Sequence, residues 1–149
     1  MDKLIKIAIG TDHRGVDIKR ELVNRLNNKY EFIDCSKNNT DSDDYPDFAF
    51  EVGKQVAEKN ASFGILICGT GIGMSIAANK VKGIRCALVH DKEEASLARL
   101  HNDANIIALG SYNDIDTMVE YINTFINTDV SNREEKHNRR INKIINYEK

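Results

Sequence analysis

Five short apolar runs, each followed by a longer segment with apolar residues at helical spacing, constrain this chain more than any other feature. The runs Lys6–Gly10, Glu31–Asp34, Gly64–Cys68, Arg85–Val89 and Asn105–Gly110 predict strands. Between and after them, four sets each draw one face of a helix. They are Val16, Lys19, Leu22, Val23 and Leu26; Phe48, Val52 and Val56; Ala95, Leu97, Ala98 and Leu100; and Ile115, Met118, Val119, Ile122 and Phe125. Start signals agree: Pro46 suits a first helical turn, and Asp91 with Glu94 and Ser131 with Glu134 have capping-box spacing. Strand and helix alternation requires crossover connections, and these make parallel pairs covered on both faces. The chain is therefore predicted to be a doubly wound, three-layer α/β/α, Rossmann-like domain with a five-stranded parallel sheet. The segment 131–147 is left over as an extra C-terminal helix, with Ile141, Ile144 and Ile145 on one side to bury against the domain or a second subunit. No linker or repeat interrupts it, and 149 residues at 41% hydrophobic content suit one domain with one core, 1–149.

Charge and composition remove several function classes. A formal net charge of −2 provides no electrostatic case for nucleic acid or an anionic membrane. No apolar run approaches the roughly 20 residues of a membrane span, and Met1-Asp2-Lys3 leads into a strand rather than a signal peptide, so a cytoplasmic protein is expected. Cys35, Cys68 and Cys86 lie far apart without a Cys-x-x-Cys pair, which argues for free thiols over a disulfide framework or a zinc site.

In a doubly wound sheet, ligands bind beyond the carboxyl ends of the strands, so the residues that follow each run carry the functional signal. After the third run stands Cys68-Gly69-Thr70-Gly71-Ile72-Gly73, a thiol at a glycine turn that opens a helix. Backbone N–H groups of such a turn suit an oxyanion, and a thiol beside a helix N-terminus is favoured as its thiolate. The loop lacks G-x-G-x-x-G spacing and an acidic ribose partner, and it lacks the Gly-Lys-Ser/Thr ending of a triphosphate loop. A tight turn with Cys68 as a small buried filler fits the same residues equally well. His101 at a helix end and Asp12-His13 after the first strand have bland readings too, as dipole and capping residues. Lys136 and Arg140, one turn apart on the last helix, are either solvated surface or a clamp for a phosphate.

As a set, the residues resemble type B ribose-5-phosphate isomerase. The resemblance rests on Asp12-His13, Asp44-Tyr45-Pro46, Ile67-Cys68-Gly69-Thr70-Gly71-Ile72-Gly73, Ser75-Ile76-Ala77-Ala78-Asn79-Lys80, Gly83-Ile84-Arg85 and His101-Asn102-Asp103-x-Asn105, in that order, from about Ile5 to Ile145. It implies an aldose–ketose isomerase of the pentose phosphate pathway that interconverts ribose 5-phosphate and ribulose 5-phosphate. Cys68 would be the base, Thr70 would add a hydroxyl, and His101 would open the sugar ring. The amides of Gly69, Gly71, Ile72 and Gly73 would hold the enediolate oxygen. Asp12, Tyr45 and Asn102 would contact the sugar. His13, Lys136 and Arg140 would hold the phosphate. The resemblance further implies that the last helix comes from a neighbouring subunit, in a homodimer or tetramer whose active site is shared. No metal or other cofactor is expected, since base, shuttle and oxyanion donors are supplied and His13, His90 and His101 show no ligand spacing.

The chain departs from the family at two positions. Tyr112 stands where an arginine is usual after the fifth strand, and Lys136 stands where Arg-His-x-x-Arg begins. Lysine keeps the charge but loses the planar fork, and tyrosine keeps one donor. Beside the pentose reading stand an isomerase of a six-carbon sugar phosphate, such as allose or galactose 6-phosphate, and a non-catalytic phosphosugar-binding module.

Overall fold

Each of the five apolar runs forms a strand: β1 (Ile5–Thr11), β2 (Tyr30–Asp34), β3 (Phe63–Cys68), β4 (Cys86–Leu88) and β5 (Ile106–Gly110). Six helices connect and follow them: α1 (Val16–Leu26), α2 (Tyr45–Ala57), α3 (Ile72–Ala78), α4 (Lys92–Asn102), α5 (Ile115–Asn127) and α6 (Glu135–Tyr147). The structure, a computed structural model, describes residues 3–149. All strand pairs are parallel, in the order β2-β1-β3-β5-β4, as the alternation predicts.

Alternate residues of each strand point to opposite sides of the sheet, and in the central strands β1, β3 and β5 both sides are buried, which is why these read as nearly continuous apolar runs. Ile7, Ile9, Ile65, Ile67, Ile107 and Leu109 pack with residues of α1, α4 and α5, among them Leu22, Ala95, Met118 and Phe125. Ala8, Leu66, Cys68, Ile106 and Ala108 pack with Val52 and Val56 of α2 and Met74 and Ala78 of α3. Among the described residues, no helix is long and apolar enough to cross a membrane.

Helix starts follow local chemistry, with one correction. Pro46 lies in the first turn of α2. Asp91 Oδ1 accepts from Glu94 N at 2.7 Å, while Glu94 Oε1 reaches back one residue further than a capping box, to His90 N at 2.7 Å. Ser131 does not cap the last helix, which begins at Glu135 rather than at 131. Ser131 N instead donates to Asp129 Oδ1 at 2.9 Å, a local turn that competes with helix formation. Arg133 then donates to the carbonyls of Leu100 and Arg99, both at 2.7 Å, so the chain is pinned to the end of α4 before it can coil.

Only Ile141 of α6 is fully buried; Ile145 is half-buried, and Ile144 and Tyr147 are exposed. The expected apolar face of this helix is therefore largely uncovered within the chain.

Candidate active site

The strand order reverses between β1 and β3. From β1 the chain passes through α1 to β2 on one side, and from β3 it passes through α3 toward β4 on the other, with the two helices on opposite faces. The divergence opens a crevice at the carboxyl ends of these adjacent strands. Thr11 pairs with Ile67, and the next residues on each strand are Asp12 and Cys68. Neighbouring parallel strands lie about 4.8 Å apart, so these two side chains start from one small region.

Cys68 is 7% exposed, at the carboxyl end of β3 and packed on its inner side against the α2–α3 core. Its carbonyl accepts from Ser111 N at 2.9 Å, which ties the turn to the strand on the far side. The chain then makes a turn that only glycine permits at one position. Gly71 has φ +81°, and a Cβ there would lie 2.6 Å from Leu88 Cδ1 and 3.0 Å from the Leu109 carbonyl carbon. The place a Cβ would take at Gly69 has no atom within 4 Å, so the backbone next to the thiol faces open space. A Cβ at Gly73 would lie 2.5 Å from Tyr45 Cζ and 2.8 Å from its hydroxyl, which places the Tyr45 ring end against the first turn of α3. Ile72 N, expected among the oxyanion donors, is bonded to Thr70 Oγ1 at 3.2 Å. Thr70 Oγ1 accepts in that bond, so its own hydrogen stays available to donate.

Asp12 is 8% exposed and accepts from Arg14 N at 3.1 Å, capping a single 3₁₀ turn over His13–Gly15. The cap turns His13 toward a residue that sequence reasoning missed. Asp43 Oδ1 accepts from His13 N at 2.9 Å and lies 2.7 Å from His13 Nδ1. Its other oxygen accepts from Asn39 Nδ2 at 2.9 Å and Thr40 N at 3.0 Å. Burial pushes the Asp43 carboxyl up, but the hydrogen bonds from Asn39, from the His13 ring and from the amides of His13 and Thr40 win, leaving it lowered to about 2. Lys19, which its spacing places on the buried face of α1, has polar partners that spacing does not reveal. It is buried with its ammonium on Asp34 Oδ1 at 3.0 Å, Ser36 O at 2.8 Å and Ser36 Oγ at 3.0 Å, and it anchors the loop that leads to Asp43. A polar stretch such as Asn38–Asp44 has no periodicity, so nothing in it signals a partner for a residue thirty positions earlier.

The remaining predicted residues lie elsewhere. In a strand–helix–strand crossover the helix runs back to the opposite edge of the sheet. The 11 residues of α4 span about 16 Å and end at His101 and Asn102, beside the start of β5. There the His101 ring stacks on His137 of α6, centroids 4.0 Å apart and planes inclined by 14°. Burial, followed by the neighbouring His101 and Lys136, pushes His137 below the ordinary histidine value. Arg85, Arg99 and Arg133 converge on Asp103, the left-handed cap of α4, at 3.2, 2.9 and 3.4 Å. Lys136 and Arg140 are exposed on α6. Within one chain, Asp12, His13, Tyr45 and Cys68–Gly73 thus form one group, and His101, Asn102, Lys136 and Arg140 form another at the opposite end of the sheet. Tyr112 follows β5 at the edge that carries Cys68, its ring against Gly110. Among the described residues, no group of three or more His, Cys, Asp or Glu side chains could hold a metal ion.

Comparison with known proteins gives this arrangement relatives. A probable ribose-5-phosphate isomerase B of Mycoplasma genitalium is 43% identical over 148 residues, covering 96% of this chain and 95% of the relative. A solved type B ribose 5-phosphate isomerase of Trypanosoma cruzi superposes with a TM-score of 0.89 at 45% identity, covering 96% of this chain and 97% of that one. The ribose-5-phosphate isomerase B of Mycoplasma genitalium, solved with bound ribulose-5-phosphate, gives a TM-score of 0.89 at 38% identity, covering 97% and 96%. Residues 7–144 match the Ribose/Galactose Isomerase family model, and the chain belongs to that family.

Proposed function

We propose that this chain is an aldose–ketose isomerase that interconverts ribose 5-phosphate and ribulose 5-phosphate. The observation that carries the reading is the nearly buried thiol of Cys68 beside a glycine-lined crevice whose open space begins at Gly69. The relative with ribulose-5-phosphate bound supports the substrate.

The thiolate of Cys68 removes the C2 proton of the open-chain aldose. The electron pair moves into a C1–C2 double bond, and the C1 carbonyl oxygen takes the negative charge of an enediolate. The same sulfur returns the proton to C1, while the C2 hydroxyl passes its proton to the negatively charged O1, which becomes the C1 hydroxyl as C2 becomes the new carbonyl. Amides of the loop Gly69–Gly73 other than that of Ile72, together with the Thr70 hydroxyl, face the charge that develops. Asp12 and Tyr45 border the sugar, and His13 holds the phosphate. Because pentose phosphates rest as closed rings, a proton shuttle must act first, and His101 takes that role.

His101 reaches Cys68 only if a second copy supplies it. We therefore assign the site to a homodimer in which His101, Asn102, Lys136 and Arg140 of one subunit complete the crevice of the other. The exposed Ile144 and Tyr147 line a groove of about 740 Å³ with Ile84, Cys86 and Ala104, and Ile72 and Ile76 of α3 are more than half exposed, so apolar surface is available for such a contact.

Ribose 5-phosphate followed by NMR in deuterated water tests substrate, reaction and base together. The wild type incorporates deuterium at C1 of the product, and Cys68→Ala abolishes it with the fold intact. Turnover unchanged in that variant ends the reading. Comparing kcat/KM for ribose 5-phosphate with allose and galactose 6-phosphates tests the substrate's chain length, on which Tyr112 bears.

A further inference from the structure

We propose that Asp43 is a positioning residue that fixes one hydrogen of His13 on Nδ1 and leaves Nε2 for the substrate's phosphate, which it grips once that nitrogen takes up a second hydrogen. The phosphate part rests on the function proposed above; the tautomer part stands without it.

Four hydrogen bonds converge on the two oxygens of Asp43, from His13 N, His13 Nδ1, Asn39 Nδ2 and Thr40 N. Both amides and the Asn39 amino group are donors, so the carboxylate acts as an acceptor toward all of them, and an ionised carboxylate has nothing to donate. Nδ1 at 2.7 Å must then carry the hydrogen. Among the described residues, the ring's hydrogen bonds run through Nδ1 alone, which leaves Nε2, on the far side of a ring 30% exposed, for a ligand. The hydrogen bond at one ring nitrogen sets the state of the other.

A phosphate dianion offers only acceptors. When it meets a ring whose Nδ1–H is already committed, the contact is favourable only if Nε2 carries a second hydrogen, and the resulting imidazolium lies between two anions, Asp43 and the phosphate. The carboxylate thus orients the ring, as a buried aspartate does for a catalytic histidine. Nor is the pairing left to a free loop. Asn39 Nδ2 also donates to Thr11 O at 2.9 Å, and Thr11 N donates at 3.2 Å to Ser36 Oγ, which Lys19 holds, so Asp43 is tied to the strand end that carries His13.

The test uses the full chain with ¹⁵N-labelled histidine. Long-range ¹H–¹⁵N spectra of the wild type are expected to show the neutral His13 ring with its hydrogen on Nδ1, a measurement that needs no variant. In Asp43→Asn, which sets an amino group against one or more of the four donors, the Nε2–H form should appear. With ribose 5-phosphate, Asp43→Asn should raise KM about tenfold, the scale of one hydrogen bond to a charged group, with kcat within about threefold. In a His13→Ala background the same change should move kcat/KM less than about twofold, because a residue that acts through His13 has nothing left to act on. Wild-type His13 with a bare Nδ1 overturns the proposal, and so does an equal cost of Asp43→Asn in both backgrounds. If no sugar phosphate is turned over, the proposed reaction fails separately, and inorganic phosphate decides the rest. A ¹⁵N response of His13 to phosphate in the wild type that is lost in Asp43→Asn upholds the assignment, and an equal response in both refutes it.

Discussion

The two ends of the sheet hold their functional groups in different ways. At the carboxyl end, backbone conformation does the placing: Gly71 in the left-handed region, Thr70 bonded to Ile72 N, and Asp12 capping the turn that aims His13. At the amino end, side chains are held by other side chains and by helix carbonyls: His101 against His137, three arginines around Asp103, and Arg133 on Leu100 and Arg99. One end has a crevice at the switch in strand order with the nearly buried thiol of Cys68 beside it. The other is an outward-facing group of cations and imidazoles with apolar surface of α6 uncovered beside it. The difference is what the proposed homodimer rests on: the chain has a crevice at one end and, about one helix length away, exposed polar groups that lie outside its own crevice.

The largest effect belongs to the crevice. Cys68→Ala should reduce kcat by about 10³-fold, within the range for loss of a positioned general base, while KM for ribose 5-phosphate changes little, because the phosphate contacts remain. Steady-state kinetics on the purified variant give both numbers. A drop confined to KM would make Cys68 a wall rather than a base.

The division of labour between the two ends can be broken directly. Cys68→Ala and His101→Ala chains are each expected to be inactive alone. Mixed by refolding together in equal amounts, they should recover about a quarter of wild-type activity. Half of the dimers are then mixed, and each mixed dimer has one site with both substitutions and one with neither. If both groups acted within one chain, no site free of substitution would form and mixing would restore nothing.

How much of this could be read before the structure depended on the kind of interaction. The strands were legible because burial on both faces leaves unbroken apolar runs, and the glycine loop because backbone geometry restricts residue choice at Gly71. Tyr45 came through family resemblance, and its contact with Gly73 supplies a geometric reason. The start of α6 was misread because Ser131 with Glu134 has the spacing of a capping box, and spacing says nothing of Arg133 being bonded to a different helix. Asp43 was missed because one carboxylate among the three of a polar loop, Asp41, Asp43 and Asp44, looks like solvated surface until the β1–β2 pairing brings it to His13. The separation of His101 from Cys68 follows from the sense of a crossover helix, yet motif order along a chain conceals it.

Backbone placement at the carboxyl end predicts an effect on stability. Gly71→Ala puts a Cβ at a positive φ and 2.6 Å from Leu88, with the Leu109 backbone unable to yield. Left-handed strain with overpacking should cost about 2 to 4 kcal/mol, read as a fall in Tm by calorimetry. Gly69→Ala, which meets no atom within 4 Å, should leave Tm nearly unchanged and instead obstruct the space beside the thiol. Equal losses of Tm in the two variants would show that the loop's shape does not depend on Gly71.

The smallest effect probes the other end through its proton balance. Burial, His101 and Lys136 hold His137 below its ordinary value of 6.5 in the folded chain, with Arg140 acting in the same sense and Glu134 opposing. The unfolded chain therefore takes up a proton near that pH that the stacked ring refuses. Stability from this residue is present above about pH 6.5 and declines as the pH falls toward the folded value, since the unfolded state then binds more protons. His137→Gln removes the titration and keeps a planar side chain over His101. Its Tm should fall less steeply than that of the wild type between about pH 7 and 5, with the curves converging at the alkaline side once the constant cost of substitution is subtracted. Parallel curves over that range would mean that the environment of His137 beside His101 and Lys136 does not hold it below its ordinary value in solution.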